Sequence, residues 1–114
     1  MLDKRKFYIN GRWVEPKRPN DFNVINPCNE EPCAIISLGS KEDTNAAIES
    51  AKNAFDTWKE TTKEDRLNYL EKLLSVYKKR SREMAEAISL EMGAPMDWAT
   101  EVQTASGQSH LEDF

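Results

Sequence analysis

Thr62-Lys63-Glu64-Asp65 opens, and Leu90-Glu91-Met92-Gly93-Ala94-Pro95 closes, the stretch whose reading decides the fold of this 114-residue chain. Thr62 places a hydroxyl where a helix N-cap accepts from the first turn, and Glu64 and Asp65 put negative charge where the helix dipole favours it. Between these ends, Leu67, Leu70, Leu74, Tyr77, Met84, Ile88 and Met92 advance at spacings compatible with one helical face, and Ser81 fills the one gap. Gly93 tolerates a left-handed backbone and Pro95 breaks a helix, so the pattern has a stop. The spacing predicts a helix over residues 63–92, 30 residues and about 45 Å long at 1.5 Å per residue. A compact globule of this size has a radius of gyration near 13 Å, hence a diameter of roughly 35 Å. Such a helix overhangs its own domain. It either pairs with another subunit or belongs to a larger architecture.

Working outward, the preceding segment carries a second helical pattern. Ser40 stands at the N-cap, with Glu42 and Asp43 in the first turn, and Ala47, Ile48, Ala51, Ala54, Phe55 and Trp58 follow the 3.6-residue period. The alanines permit close approach to a neighbour, while Phe55 and Trp58 anchor the far end. Before Ser40 the pattern is that of strands. Lys6-Phe7-Tyr8-Ile9 and Arg12-Trp13-Val14 flank Asn10-Gly11, the favoured pair for a type I′ turn, which predicts a hairpin. Residues 16–21 hold two prolines and Asn20-Asp21 and read as a loop. Residues 22–25 and 33–38 read as two further short strands, stopped by Asn26-Pro27 and Gly39, in a mainly antiparallel sheet. Past Pro95, Met96, Ala99, Val102 and Ala105 begin a third helical pattern that Leu111 and Phe114 continue loosely. It lacks a capping residue, and Glu112-Asp113 sit where a finished helix favours Lys or Arg, so the pattern reads as cut within a helix.

Composition bounds the function. Sixteen Lys and Arg against twenty Asp and Glu give a net charge of −4, which argues against a general nucleic-acid binder. Mean hydropathy is −0.75 and charged residues make up 32%, a polar balance for a chain that must build its own core. No run of about 20 apolar residues exists to span a membrane, and no apolar stretch follows the basic residues Lys4-Arg5-Lys6 to make a secretory signal. A cytoplasmic, reducing environment is therefore expected. The four glycines, at 11, 39, 93 and 107, are too scattered for a phosphate-cradling loop. Charge is uneven: residues 1–18 carry six basic and two acidic side chains, and residues 83–114 carry seven acidic ones and no Lys or Arg. The acidic block interleaves with apolar residues and reads as a solvated helix face.

The chemistry-bearing residues do not converge. Cys28 and Cys33 are separated by four residues with no histidine near them, and His110 is the only one in the chain, so neither a zinc set nor an activated thiolate is recognisable. Both cysteines read as structural. Ser109 and His110 are adjacent in a helical stretch, where their side chains diverge. Lys78-Lys79-Arg80-Ser81-Arg82 reads as a solvated helix face, and Trp13, Trp58 and Trp98 as packing anchors. No catalytic, cofactor-binding or metal-binding residue is assigned on these grounds.

Taken in order, the motifs resemble the N-terminal portion of the aldehyde dehydrogenase family. The carrying residues are the hairpin Phe7 to Val14, then Val24-Ile25-Asn26-Pro27 with Glu31 shortly after. Asp43, Ala47, Ala51, Ala54, Phe55 and Trp58 match an Ala-rich first helix ending in Phe-x-x-Trp. Arg66, Leu70, Leu73, Leu74, Ala85 and Ile88 follow, and Glu91-Met92-Gly93 matches a Glu-x-Gly motif closing the second helix. The resemblance covers residues 6–114 and implies an α/β fold of the aldehyde dehydrogenase type. In it, an antiparallel hairpin and strand region (6–38) precedes two long helices and the start of a third (40–114). The whole segment is then an incomplete N-terminal part of a cofactor-binding domain.

The resemblance further implies a parent oxidoreductase that converts an aldehyde to a carboxylic acid with NAD or NADP, as a homo-oligomer without nucleic-acid or membrane partners. In that family a cysteine thiolate attacks the carbonyl, hydride passes to the nicotinamide, and a glutamate activates the deacylating water. The family's catalytic residues and cofactor loop lie beyond the matching region, so Cys28 and Cys33 are not promoted to nucleophile, and this segment alone is expected to bind no cofactor. Some members hold a monovalent cation through backbone carbonyls near the position of Val24-Ile25 and a later acidic side chain. The matching later position here is Gln103, which lacks the charge, so no metal is expected. The other reading of the chain is a free-standing helical module that dimerises or docks a partner through its long helix.

Overall fold

The structure, a computed structural model, describes residues 1–113; Phe114, which the sequence pattern places on the third helix, lies outside the described residues. The elements in chain order are β1 (Leu2–Lys4), β2 (Phe7–Ile9), β3 (Arg12–Val14), β4 (Asp21–Asn26), β5 (Glu31–Ser37), α1 (Lys41–Trp58), α2 (Lys63–Met92), α3 (Met96–Trp98), a π-helical turn (Ala99–Thr104) and α4 (Ala105–Glu112). They form two compact units, one of residues 1–25 and 30–60, the other of residues 26–29 and the chain from Thr61 onward.

In the first unit, the Asn10-Gly11 turn has positive φ at both central residues (54° and 73°), as a type I′ turn demands. It sets the β2–β3 register Phe7 to Val14, Tyr8 to Trp13 and Ile9 to Arg12. Tyr8 and Trp13 therefore face each other across the ladder and meet edge to face, with ring centroids 5.3 Å apart. The other sheet has the order β1-β5-β4. The residues between β4 and β5 are too few for a crossover, so these two strands run antiparallel. β1 adds to β5 in parallel, with Leu2 opposite Ala34 and Lys4 opposite Ile36. The sequence gives no sign of β1, because three residues, two of them charged, carry no alternation to read. The sheet is thus mixed, with β1 as its one parallel strand, where the sequence predicts a mainly antiparallel one. α1 begins at a capping box in which Ser40 and Asp43 exchange side-chain-to-backbone hydrogen bonds.

The second unit is built on α2, whose bounds are those the periodicity predicts. Thr62 and Asp65 form its capping box, and Gly93 closes it at φ 72°. Pro95 precedes α3 without any side-chain cap. α4 and the π-helical turn pack along α2. The face α2 turns to them is Leu70, Leu74, Tyr77, Ser81, Ala85 and Ile88, all buried or half-buried. Met84, placed on that stripe by its spacing, is instead 44% exposed, and Leu67 and Met92 are exposed as well. The reason is angular: Met84 lies at the edge of the stripe whose centre is carried by Ser81 and Ala85.

Among the described residues, the fully buried apolar side chains are only Ala85 and Ala99, and no large side chain is fully buried. Phe55 (58% exposed), Trp13 (68%) and Trp98 (56%) therefore do not serve as buried anchors within this chain. For Phe55, the 3.6-residue period marks a face of α1 but carries no information on whether anything covers it.

Candidate functional site

The most organised polar cluster in the first unit surrounds Asp43, which is buried. One carboxylate oxygen accepts from the Lys17 amide at 2.8 Å, and the other from the Ser40 amide at 3.0 Å and the Ser40 hydroxyl at 2.7 Å. These donors, the Lys17 amide first and the Ser40 hydroxyl next, hold the carboxyl below its ordinary pKa. Nearby, the Ser37 hydroxyl accepts from the Asn20 amide at 3.0 Å, and the Leu38 amide donates to the Asn20 carbonyl at 2.8 Å. The loop of residues 16–20 is thereby fastened to the end of β5 and the start of α1. A helix N-terminus following a strand is a place where anions bind, but here the anion is Asp43 itself. The arrangement fits a structural clasp in which Asp43 itself holds the Ser40 and Lys17 amides.

An open hollow of about 660 Å³ is lined by Asp3, Lys4, Arg5, Lys6, Trp13 and Glu15. Four of its five charged side chains are in ion pairs. Arg5 pairs with Asp3 at 2.7 Å and Asp21 at 3.1 Å, and Lys6 with Glu15 at 2.8 Å. The Arg5 hydrogen bonds hold the Asp3 carboxyl down to about 2, so it is ionised and a poor base near neutrality.

In the second unit, Tyr77 of α2 donates its hydroxyl to the Thr104 carbonyl at 2.9 Å, at the end of the π-helical turn. Gly107 leaves the room for this: a Cβ there would collide with the Tyr77 hydroxyl and lie 3.1 Å from its ring carbon Cζ. In the same turn, the Gln103 Oε1 and Thr104 Oγ1 atoms are buried without a hydrogen-bond partner. Gly93 is held between its left-handed backbone and Pro27, whose Cγ would stand 2.7 Å from an added Cβ.

The residues weighed from the sequence fall apart in space and chemistry. Cys28 is exposed, and its amide donates to Asn26 Oδ1 at 2.9 Å in the turn after β4. Cys33 is half-buried in β5, with its thiol 3.4 Å from the Val24 carbonyl. His110 and Ser109 are exposed on α4. In the basic tract, Lys78 pairs with Glu112 at 2.6 Å, Arg80 with Glu83 at 2.9 Å and Arg82 with Glu86 at 2.9 Å. The acidic block after residue 83 thus answers the basic tract on the helix surface. Sequence reasoning missed the Asp43–Lys17 and Tyr77–Thr104 contacts. The Ser40-x-x-Asp43 spacing signals the cap, but nothing local marks Lys17 or Thr104 as partners.

No helix among the described residues is long and apolar enough to cross a membrane. The model of the aldehyde dehydrogenase family matches residues 13–114. Among curated proteins, the chain is 41% identical over 112 residues to a 3-succinoylsemialdehyde-pyridine dehydrogenase of a Pseudomonas species, covering 97% of this chain and 24% of that one. Among solved structures, it is similar to an aldehyde dehydrogenase from Bartonella henselae, with a TM-score of 0.98 and 56% identity over 100% of this chain and 24% of that one. It is also similar to an aldehyde dehydrogenase C mutant from Pseudomonas syringae in complex with NAD+ and octanal, with a TM-score of 0.93 and 36% identity over 95% of this chain and 22% of that one. The chain spans about a quarter of the length of these relatives. With its strands, its two capped helices and its Glu91-Met92-Gly93 closure matched over nearly all of its length, the chain belongs to the aldehyde dehydrogenase family.

Proposed function

We propose that the chain is the N-terminal quarter of an NAD(P)+-dependent aldehyde dehydrogenase, the opening part of its cofactor-binding domain. The reaction of the whole enzyme is RCHO + NAD(P)+ + H2O giving RCOOH, NAD(P)H and H+. The observation that carries this reading is coverage: 97% of this chain matches only 24% of the Pseudomonas dehydrogenase. The complex of the Pseudomonas syringae relative with NAD+ and octanal supports an aldehyde substrate and a nicotinamide cofactor for the whole enzyme. The same reading takes that enzyme as a cytoplasmic homo-oligomer.

In this reading the segment is structural. Cys28 and Cys33 are taken as structural: the Cys33 thiol donates to the Val24 carbonyl, and the Cys28 backbone amide to Asn26 Oδ1 in the turn after β4. The scattered glycines serve turns and close packing rather than a pyrophosphate. The test compares two proteins. The 114-residue chain alone is expected to show neither nicotinamide binding nor aldehyde oxidation. A chimaera, with this chain replacing the corresponding first quarter of the Bartonella henselae enzyme, is expected to fold and turn over. Turnover by the isolated chain, or an inactive chimaera, would overturn the reading.

A further inference from the structure

The turn between β2 and β3 holds a chemically reactive pair where solvent reaches it. The chain has eight asparagines, and Asn10 alone is followed by glycine. Asn26 precedes Pro27, whose nitrogen carries no hydrogen. Asn45, Asn53 and Asn68 lie within α1 and α2, where the amide of the next residue is spent on the helix. Asn20, Asn23 and Asn29 precede Asp21, Val24 and Glu30, whose side chains crowd their own amide nitrogens. Gly11 has no such side chain, and nothing lies within 4 Å of where a Cβ would stand. In a type I′ turn the closing bond runs from the Arg12 amide to the Ile9 carbonyl, so the Gly11 amide takes no part in it. Asn10 and Gly11 are both exposed. The hairpin that carries them is a separate ribbon of two three-residue strands, which opens at low cost.

We propose that Asn10 is a site of spontaneous deamidation that converts the hairpin turn to isoaspartate and releases the Tyr8–Trp13 pair. When the turn opens, the Gly11 backbone nitrogen attacks Cγ of Asn10. A bond forms between that nitrogen and Cγ, the Cγ–Nδ2 bond breaks, and ammonia leaves with the proton of the Gly11 amide. The product is a cyclic succinimide joining the two residues. Water then opens the ring at one of its two carbonyls. Cleavage between the nitrogen and Cγ leaves an ordinary aspartate at position 10. Cleavage between the nitrogen and the main-chain carbonyl carbon leaves isoaspartate, with the chain rerouted through Cβ and Cγ. Aspartate keeps the turn, since Asp-Gly suits type I′ as Asn-Gly does. Isoaspartate adds a methylene to the main chain inside a two-residue loop, so the closure that sets Tyr8 opposite Trp13 is lost. Either product also adds a negative charge to the turn.

The test ages the 114-residue chain at mildly alkaline pH and follows the tryptic peptide from Phe7 to Arg12 by mass spectrometry, with fragmentation that separates isoaspartate from aspartate. The expected result is conversion at Asn10 ahead of the other seven asparagines, with isoaspartate among the products. Conversion at Asn10 no faster than elsewhere overturns the proposal, and so does conversion to aspartate alone, which marks direct hydrolysis without the ring. Gly11→Ala is expected to slow conversion by about 10-fold, because its Cβ crowds the attacking nitrogen. The comparison is repeated in denaturant, where a change in turn stability no longer contributes, and an unchanged rate there overturns the proposal. Asn10→Asp serves as the reference for an intact turn. It is expected to keep the near-ultraviolet circular dichroism of the Tyr8–Trp13 contact, whereas the isolated isoaspartate form loses it. An isoaspartate form with the signal of the unaged chain overturns the release of the pair.

Discussion

The hydroxyl of Tyr77 donates to the carbonyl of Thr104 at 2.9 Å, joining the middle of α2 to the last residue of the π-helical turn. A π turn shifts the helical hydrogen-bond pattern by one residue, and a side-chain donor from a neighbouring helix steadies a carbonyl at its end. Gly107 lets the phenol come this close, since any side chain there would occupy its place. The hydrogen bond and the missing Cβ thus add to the Lys78–Glu112 pair in setting how α4 lies on α2.

Tyr77→Phe removes the donor and keeps the ring, so stability should fall by about 1–2 kcal/mol. Gly107→Ala should cost more, about 1–3 kcal/mol from overpacking, because the phenol must move. In the Tyr77→Phe background the Gly107→Ala cost should shrink, since the nearest atom has gone. A double-mutant cycle on urea midpoints measures this coupling, and strict additivity would refute the shared contact.

Gly93→Ala meets two obstacles, a φ of 72° and Pro27 Cγ at 2.7 Å. The left-handed backbone alone costs about 1–2 kcal/mol for a residue with a Cβ. Pro27→Ala combined with it should recover the steric part and leave the backbone part. Full recovery of the wild-type melting temperature would show that φ is not the constraint.

Asp43 links stability to pH. Its carboxyl is held below the ordinary value by the Lys17 amide and the Ser40 hydroxyl and amide. A depressed folded pKa stabilises above the unfolded value, about 3.9, and the gain disappears as pH falls through the folded value. Asp43→Asn should thus lower the urea midpoint near pH 7. The gap from wild type should close below about pH 4. A gap independent of pH would locate the effect in packing instead.

Ala85 of α2 and Ala99 of the π turn are each 0% exposed, in elements packed on one another. Ala85→Leu should destabilise by about 1–3 kcal/mol through overpacking. Met84→Leu, one residue away on the outward edge, should change stability by less than about 0.5 kcal/mol in the isolated chain. Hydrogen exchange across residues 99–112 would report the difference as faster opening in the first variant only.

The helices were legible because their signals are local. Ser40 with Asp43 and Thr62 with Asp65 each set a capping box within four residues, and Gly93 ends α2 by its own backbone freedom. The hairpin follows from Asn10-Gly11 for the same reason. β1 was not legible, since Leu2–Lys4 becomes a strand only by pairing in parallel with residues 34–36, far along the chain. Met84 was misplaced because period alone does not distinguish the centre of a stripe from its edge. The polar clasps were half legible: Asp43 was visible as a capping acid, but its bond to the Lys17 amide spans a 26-residue separation.

The sequence by itself determined where the helices begin and end, the hairpin and its turn, and the family resemblance, because caps, turns and periodicity act over a few residues. Only the tertiary structure decided the parallel β1–β5 pairing, the Tyr77–Thr104 lock over Gly107, and which apolar stripe of α2 is covered. Those depend on which distant segments meet, and burial is a property of the neighbours a side chain has rather than of the side chain itself.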